Sequence, residues 1–147
     1  MSLQDWIRNG WLAEHEASPQ EIADALAVVD RDLKDCRARG LSADWRMSIA
    51  YNAALQSATA ALAAAGFRPR GEGHHFRTIQ SLALTIGLEK AEIALFDQFR
   101  KKRNLSGYGR AGAVSDQEAE EMGQFARKLR GKVTEWLRSE HPGLMKD

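Results

Sequence analysis

Apolar positions recur at steps of three and four along most of the chain, and no stretch holds the sustained period-two alternation of a half-buried strand. Leu3 to Ile7 reads as a short amphipathic helix stopped by Asn9-Gly10, with Trp11 and Leu12 packing down behind it. Ser18-Pro19-Gln20-Glu21 combines a capping serine, a proline at the first helical position and a glutamate three after the cap, so a helix starts there. Its apolar positions Ile22, Leu26, Val29, Leu33 and Cys36 form one seam, and Gly40 supplies a left-handed stop. Ser42 caps the next helix, which runs through Trp45, Ile49, Tyr51 and Leu55 to an alanine-dense end at Ala65-Gly66. Small side chains let neighbouring backbones approach closely, which predicts a central position for this helix.

Phe67 to Gly73 reads as a loop, and His74-His75 opens a helix whose apolar face holds Ile79, Leu82, Ala83 and Ile86 before Gly87 ends it. Leu88 to about Ser106 forms the next long element, followed by a loop from Gly107 to Val114. Ser115-Asp116-Gln117-Glu118 repeats the capping box. The final helix buries Met122, Phe125, Ala126, Leu129, Val133, Trp136 and Leu137, and His141-Pro142-Gly143 terminates it. The expected class is all-α, with no need of strands: residues 18–140 as a helical bundle and residues 1–17 as an N-terminal brace.

At 147 residues the chain fits one domain, which buries about two thirds of its unfolded surface. The single cysteine excludes an internal disulfide, and neither a signal-peptide pattern nor an apolar run of about 18 residues occurs, so a soluble, cytoplasmic protein away from membranes is expected. A net charge of +1 argues against a bulk polyanion binder. The charge is nevertheless segregated: Gly66 to Val114 carries nine Arg or Lys against four Asp or Glu, whereas both flanks are mildly acidic. That asymmetry points to a localised anion site.

The segment Phe99 to Tyr108 is where such a site is expected. On a helix, Glu92, Leu95, Phe96, Phe99 and Arg103 share one face, which turns Arg103 toward the core or a partner. Asp97, Arg100, Asn104 and Tyr108 share a second line, so a guanidinium, an amide and a phenol converge near the helix end. A charge on an apolar line needs a counter-charge, either an internal acid such as Glu92 or a bound phosphate. Lys101 and Lys102 suit the negative end of the helix dipole, and Asp97 lies one turn from Lys101. Lys101, Arg70, His74 and His75 join Arg100 as candidate phosphate ligands.

Other motifs carry less. His74 and His75 point about 100° apart on a helix and do not share one metal ion in the usual i, i+4 manner. Gly107-Tyr108-Gly109-Arg110-Ala111-Gly112 spells G-x-G-x-x-G, but a helix precedes it and the next helix opens with Asp116, Glu118, Glu120 and Glu121, which repel phosphate. His15 and His141 read as surface residues, Cys36 as packing. No local nucleophile signature occurs, and neither metal nor cofactor is expected.

Ala63-Ala64-Ala65-Gly66, the His74-His75 helix start and Arg103-Asn104 followed after three residues by Tyr108 resemble the HEPN superfamily over residues 18–137. The resemblance implies a four- to five-helix up-and-down bundle with a short N-terminal helix, and a homodimer that brings two arginine motifs into one cleft. In that family an arginine, often followed by asparagine, precedes a histidine by four to six residues; here Tyr108 stands at the histidine position. Two functions are implied. One is RNA or nucleotide-phosphate binding with metal-independent, toxin-like endoribonuclease activity, using Arg103, Asn104 and Tyr108. The alternative is a noncatalytic module partnering a nucleotidyltransferase, as in toxin–antitoxin or regulatory pairs.

Overall fold

The computed structural model describes residues 1–107 and 111–145. Six α-helices dominate the described residues: α1 Leu3–Arg8, α2 Pro19–Asp35, α3 Ala43–Ala64, α4 His74–Ser81, α5 Lys90–Gly107 and α6 Asp116–Glu140. A 3-10 turn over Pro142–Leu144 follows α6.

The capping signals work as side-chain chemistry. Ser18, Ser42 and Ser115 each accept a hydrogen bond from the backbone N–H three residues on, satisfying an orphan donor of the first turn. At Ser115 the box is complete, because the Glu118 carboxylate accepts from the Ser115 N–H at 3.0 Å. At Ser18 it is not: Glu21 turns instead to His15, whose Nε2 lies 2.7 Å from its carboxylate.

The expected central helix is α3, which packs against α2, α4, α5 and α6. Ala50, Ala53, Ala54, Ala58, Ala60 and Ala61 are all buried, so the helix is covered nearly all round. Met122, Ala126, Leu129, Val133 and Leu137 of α6 complete the main core with Ile22 and Val29 of α2.

Two short strands correct the expectation of a strand-free chain. β1, Leu12–Glu14, pairs antiparallel with β2, Phe67–Pro69, placing Leu12 opposite Pro69 and Glu14 opposite Phe67. Three residues are too few to display a period. The ladder extends through His15 N–H to Gly66 O and Arg70 N–H to Trp11 O, both 2.9 Å. Gly66, at φ 101°, makes the left-handed turn that brings the chain out of α3 into β2. The pairing ties α1 to the end of α3, and Trp6, Leu12, Leu62 and Phe67 form a second, smaller apolar cluster there.

Three boundaries and one face also differ. α2 ends at Asp35, several residues before Gly40, with Cys36 as its buried C-cap. α4 ends at Ser81; the N–H groups of Leu82, Ala83 and Leu84 bond three residues back, a tighter winding that leaves Ala83 exposed. α5 starts at Lys90, and its buried line is Ile93, Phe96 and Phe99, while Leu95 is exposed. No described helix is long and apolar enough to cross a membrane.

Candidate functional site

Phe96 and Phe99 anchor α5 in the core, and the helix phase they impose carries Arg103, one turn beyond Phe99, over the middle of α3. The guanidinium carbon of Arg103 lies 5.4 Å from the ring centroid of Tyr51, a cation–π arrangement that accommodates a half-buried cation without an acid. Glu92 is not its partner: that carboxylate accepts from Lys132 Nζ of α6 at 2.9 Å. Among the described residues no carboxylate pairs with Arg103, whose one hydrogen bond is from Nη1 to Asn104 Oδ1, at 3.4 Å.

Tyr51 is the residue that links the site together, and sequence reasoning missed it. Its ring packs edge-on against Phe96, and its phenol oxygen lies 3.2 Å from His75 Nδ1 on α4. Burial pushes the phenol pKa up to about 12, with Arg103 and then Arg100 opposing that rise. The neutral phenol therefore keeps its proton. At this distance the contact serves either tautomer: donation by Tyr51 Oη to Nδ1 leaves His75 with its proton on Nε2, and the other tautomer donates its Nδ1–H to Oη. Burial, then the positive charges of Arg103, Arg100 and His74, hold His75 below the usual imidazole pKa, so the ring is neutral. The signal was present in the sequence: of the two aromatics of α3, Trp45 sits in the first turn, and Tyr51 stands next to the alanine-rich run that becomes the core.

The other expected ligands divide. Arg100 Nε donates to Asp97 Oδ1 at 2.7 Å and its guanidinium lies over Phe76, so the second line of α5 forms as an ion pair. Lys101 shares the same acid at 3.5 Å and is otherwise exposed. Lys102 reaches α6 instead, where Glu118 accepts at 3.4 Å. His74 is exposed beside His75 at the start of α4. Arg70 is exposed past β2, and no described contact joins it to Arg103. Tyr108, expected to complete the arginine motif, lies outside the described residues.

Arg103, Tyr51 and His75, with Arg100 adding to their field, thus bring one unpaired cation and one imidazole donor to the junction of α3, α4 and α5. Such a set has the chemistry to hold an oxyanion: the guanidinium offers a planar fork and the imidazole, in its Nε2–H tautomer, a single N–H. Comparison with known proteins finds no match among family models, curated proteins or solved structures.

Proposed function

We propose that this chain is an HEPN-like protein that binds the phosphate of RNA or a nucleotide at the Arg103 end of α5, in a cleft shared by two copies. The observation that carries the reading is the guanidinium of Arg103, half-buried over Tyr51 without a carboxylate partner among the described residues. A phosphate oxygen supplies the missing charge, and the His75 Nε2–H supplies a second donor.

The tautomer of His75 separates binding from cleavage. In the Nε2–H form the ring donates to the phosphate. In the other form Nδ1–H donates to Tyr51 Oη and Nε2 takes the proton of a ribose 2′-hydroxyl; the 2′-oxygen then attacks phosphorus, the bond to the 5′-oxygen breaks, and that oxygen leaves with a proton from water. Arg103 stabilises the charge on the phosphorane in this metal-independent route. Pure protein incubated with total RNA and a chelator is the direct test. Arg103→Ala abolishes RNA retention, and any cleavage with it; unchanged retention rejects the site.

A second reading has its own observation. Trp45 is 64% exposed on the first turn of α3, and Leu95 and Leu105 are exposed on α5. An exposed tryptophan is the kind of anchor that a protein partner covers, and the noncatalytic alternative, a module that docks a nucleotidyltransferase, rests on it. Co-purification of such a partner, lost on Trp45→Ala and kept on Arg103→Ala, separates the two.

A further inference from the structure

A second cluster of arginines gathers where the chain leaves α2 and enters α3. Arg37 and Arg39 come from the connection between the two helices, Arg46 from the second turn of α3 and Arg127 from α6. Together with Cys36 and Glu120 they line a cavity of about 340 Å³. The lining carries four guanidiniums and one carboxylate, so it holds a net charge of +3. It shares no residue with the Arg103, Tyr51 and His75 site.

The acids present do not saturate these cations. Glu120 meets Arg46 at 3.5 Å and Arg127 at 3.6 Å, and Asp116 meets Arg46 at 3.4 Å. Charge-assisted hydrogen bonds close to about 2.7–2.9 Å, so each of these pairs is loose. Arg37 and Arg39 have no carboxylate partner among the described residues. The carbonyl end of α2 favours nearby cations, but it already has Lys34 in its last turn, and it does not account for arginines delivered by α3 and α6. Four like charges around one concavity repel one another, and a multivalent anion is the group that relieves this.

We infer that the cavity bounded by Arg37, Arg39, Arg46 and Arg127 is a binding site for a phosphate dianion, free or carried as a phosphomonoester on a small molecule. A dianion fits better than the singly charged phosphodiester of an RNA strand, because the lining lacks more than one negative charge. The planar forks of the arginines match phosphate oxygens in pairs. The volume admits a phosphate with a small organic body, within the range of small-ligand pockets.

Calorimetric titration of the full chain at low ionic strength, with inorganic phosphate, ribose 5-phosphate and a nucleoside 5′-monophosphate in separate arms, tests the inference. Saturable binding is expected, with equal affinity in the three arms if phosphate alone is held and tighter binding of the organic esters if the rest of the cavity contributes. Arg37 and Arg39 are exposed and unpaired, so the double variant R37Q/R39Q keeps the fold, as its melting curve verifies, and weakens binding about tenfold or more. E120Q removes the competing carboxylate and tightens binding about threefold. Arg103→Ala removes only binding at the α5 site and keeps the saturable event that R37Q/R39Q weakens. Absence of saturable binding in every arm overturns the inference, as does full affinity in R37Q/R39Q. Loss on Arg103→Ala with retention in R37Q/R39Q also overturns it, while supporting the site on α5; loss in R37Q/R39Q with RNA retention intact leaves the two sites independent.

Discussion

Tyr51 Oη stands 3.2 Å from His75 Nδ1, across 24 residues of sequence, and this contact joins the central helix to the start of α4. It satisfies a buried phenol and fixes the orientation of an imidazole beside two arginines. Its consequences are measurable in pH.

His75 has a folded-state pKa below its ordinary 6.5, set first by burial and then by Arg103 and Arg100. Above pH 6.5 the ring is neutral in both states and its contribution to stability is fully present. As the pH falls through 6.5 toward the lower folded value, the unfolded chain takes up the proton first, so stability drops. Denaturant melts between pH 7 and pH 5 are expected to show this loss, and His75→Gln to reduce it; an identical slope in the variant contradicts the assignment.

Tyr51 shifts in the opposite sense. A phenol raised from 10.0 to about 12 contributes stability below pH 10 that disappears as the pH rises through the folded value. With Tyr108 replaced by Phe, the remaining phenolate absorbance should appear near pH 12 and not near 10. Tyr51→Phe leaves Nδ1 without its hydrogen-bond partner and is expected to cost about 1 kcal/mol in urea melts.

Arg103→Lys distinguishes a point charge from a planar fork. Lysine keeps the cation but loses the stacked guanidinium over Tyr51 and the paired donors. RNA or nucleotide binding is expected to weaken about tenfold, short of the loss caused by alanine, with little change in melting temperature. Equal affinity of the lysine variant and the native chain argues against a bidentate phosphate.

Asp32, buried within α2, accepts from Asn52 Nδ2 of α3 at 2.7 Å and pairs with Arg31 at 3.0 Å. Asn52→Ala removes one of the donors to a buried carboxylate and is expected to destabilise the fold by about 1–3 kcal/mol. Asn52→Leu, close in size, separates the polar loss from the packing loss: a cost equal to that of alanine points to the hydrogen bond.

The N-terminal brace rests on Arg77, whose guanidinium lies 3.6 Å from the Trp11 ring centroid and 6.0 Å from that of Trp6. Arg77→Ala is expected to loosen residues 1–14 before the bundle unfolds, by about 1–2 kcal/mol. Hydrogen exchange at the Ala13 and His15 amides, which face β2 in the ladder, reads this locally, and unchanged protection there excludes the role.

By itself the sequence determined the helices, because capping serines and apolar spacing act within one or two turns: Ser42, Ser115, the alanine run of α3 and the buried line of α6 all work where they were legible. It also marked Arg103 as a cation on an apolar phase. It did not mark what that cation meets. The Glu92 alternative failed because the helix phase is set by Ile93, Phe96 and Phe99, which turns Glu92 toward Lys132. β1 and β2 were illegible because three-residue strands owe their existence to each other and not to a local period. Tyr51, His75 and Arg103 come from three separate helices, and the four arginines of the second cavity from α3, α6 and one connection, so only packing decides that they meet. Local spacing encodes which face a residue occupies; the identity of the opposite face is a property of the folded chain alone.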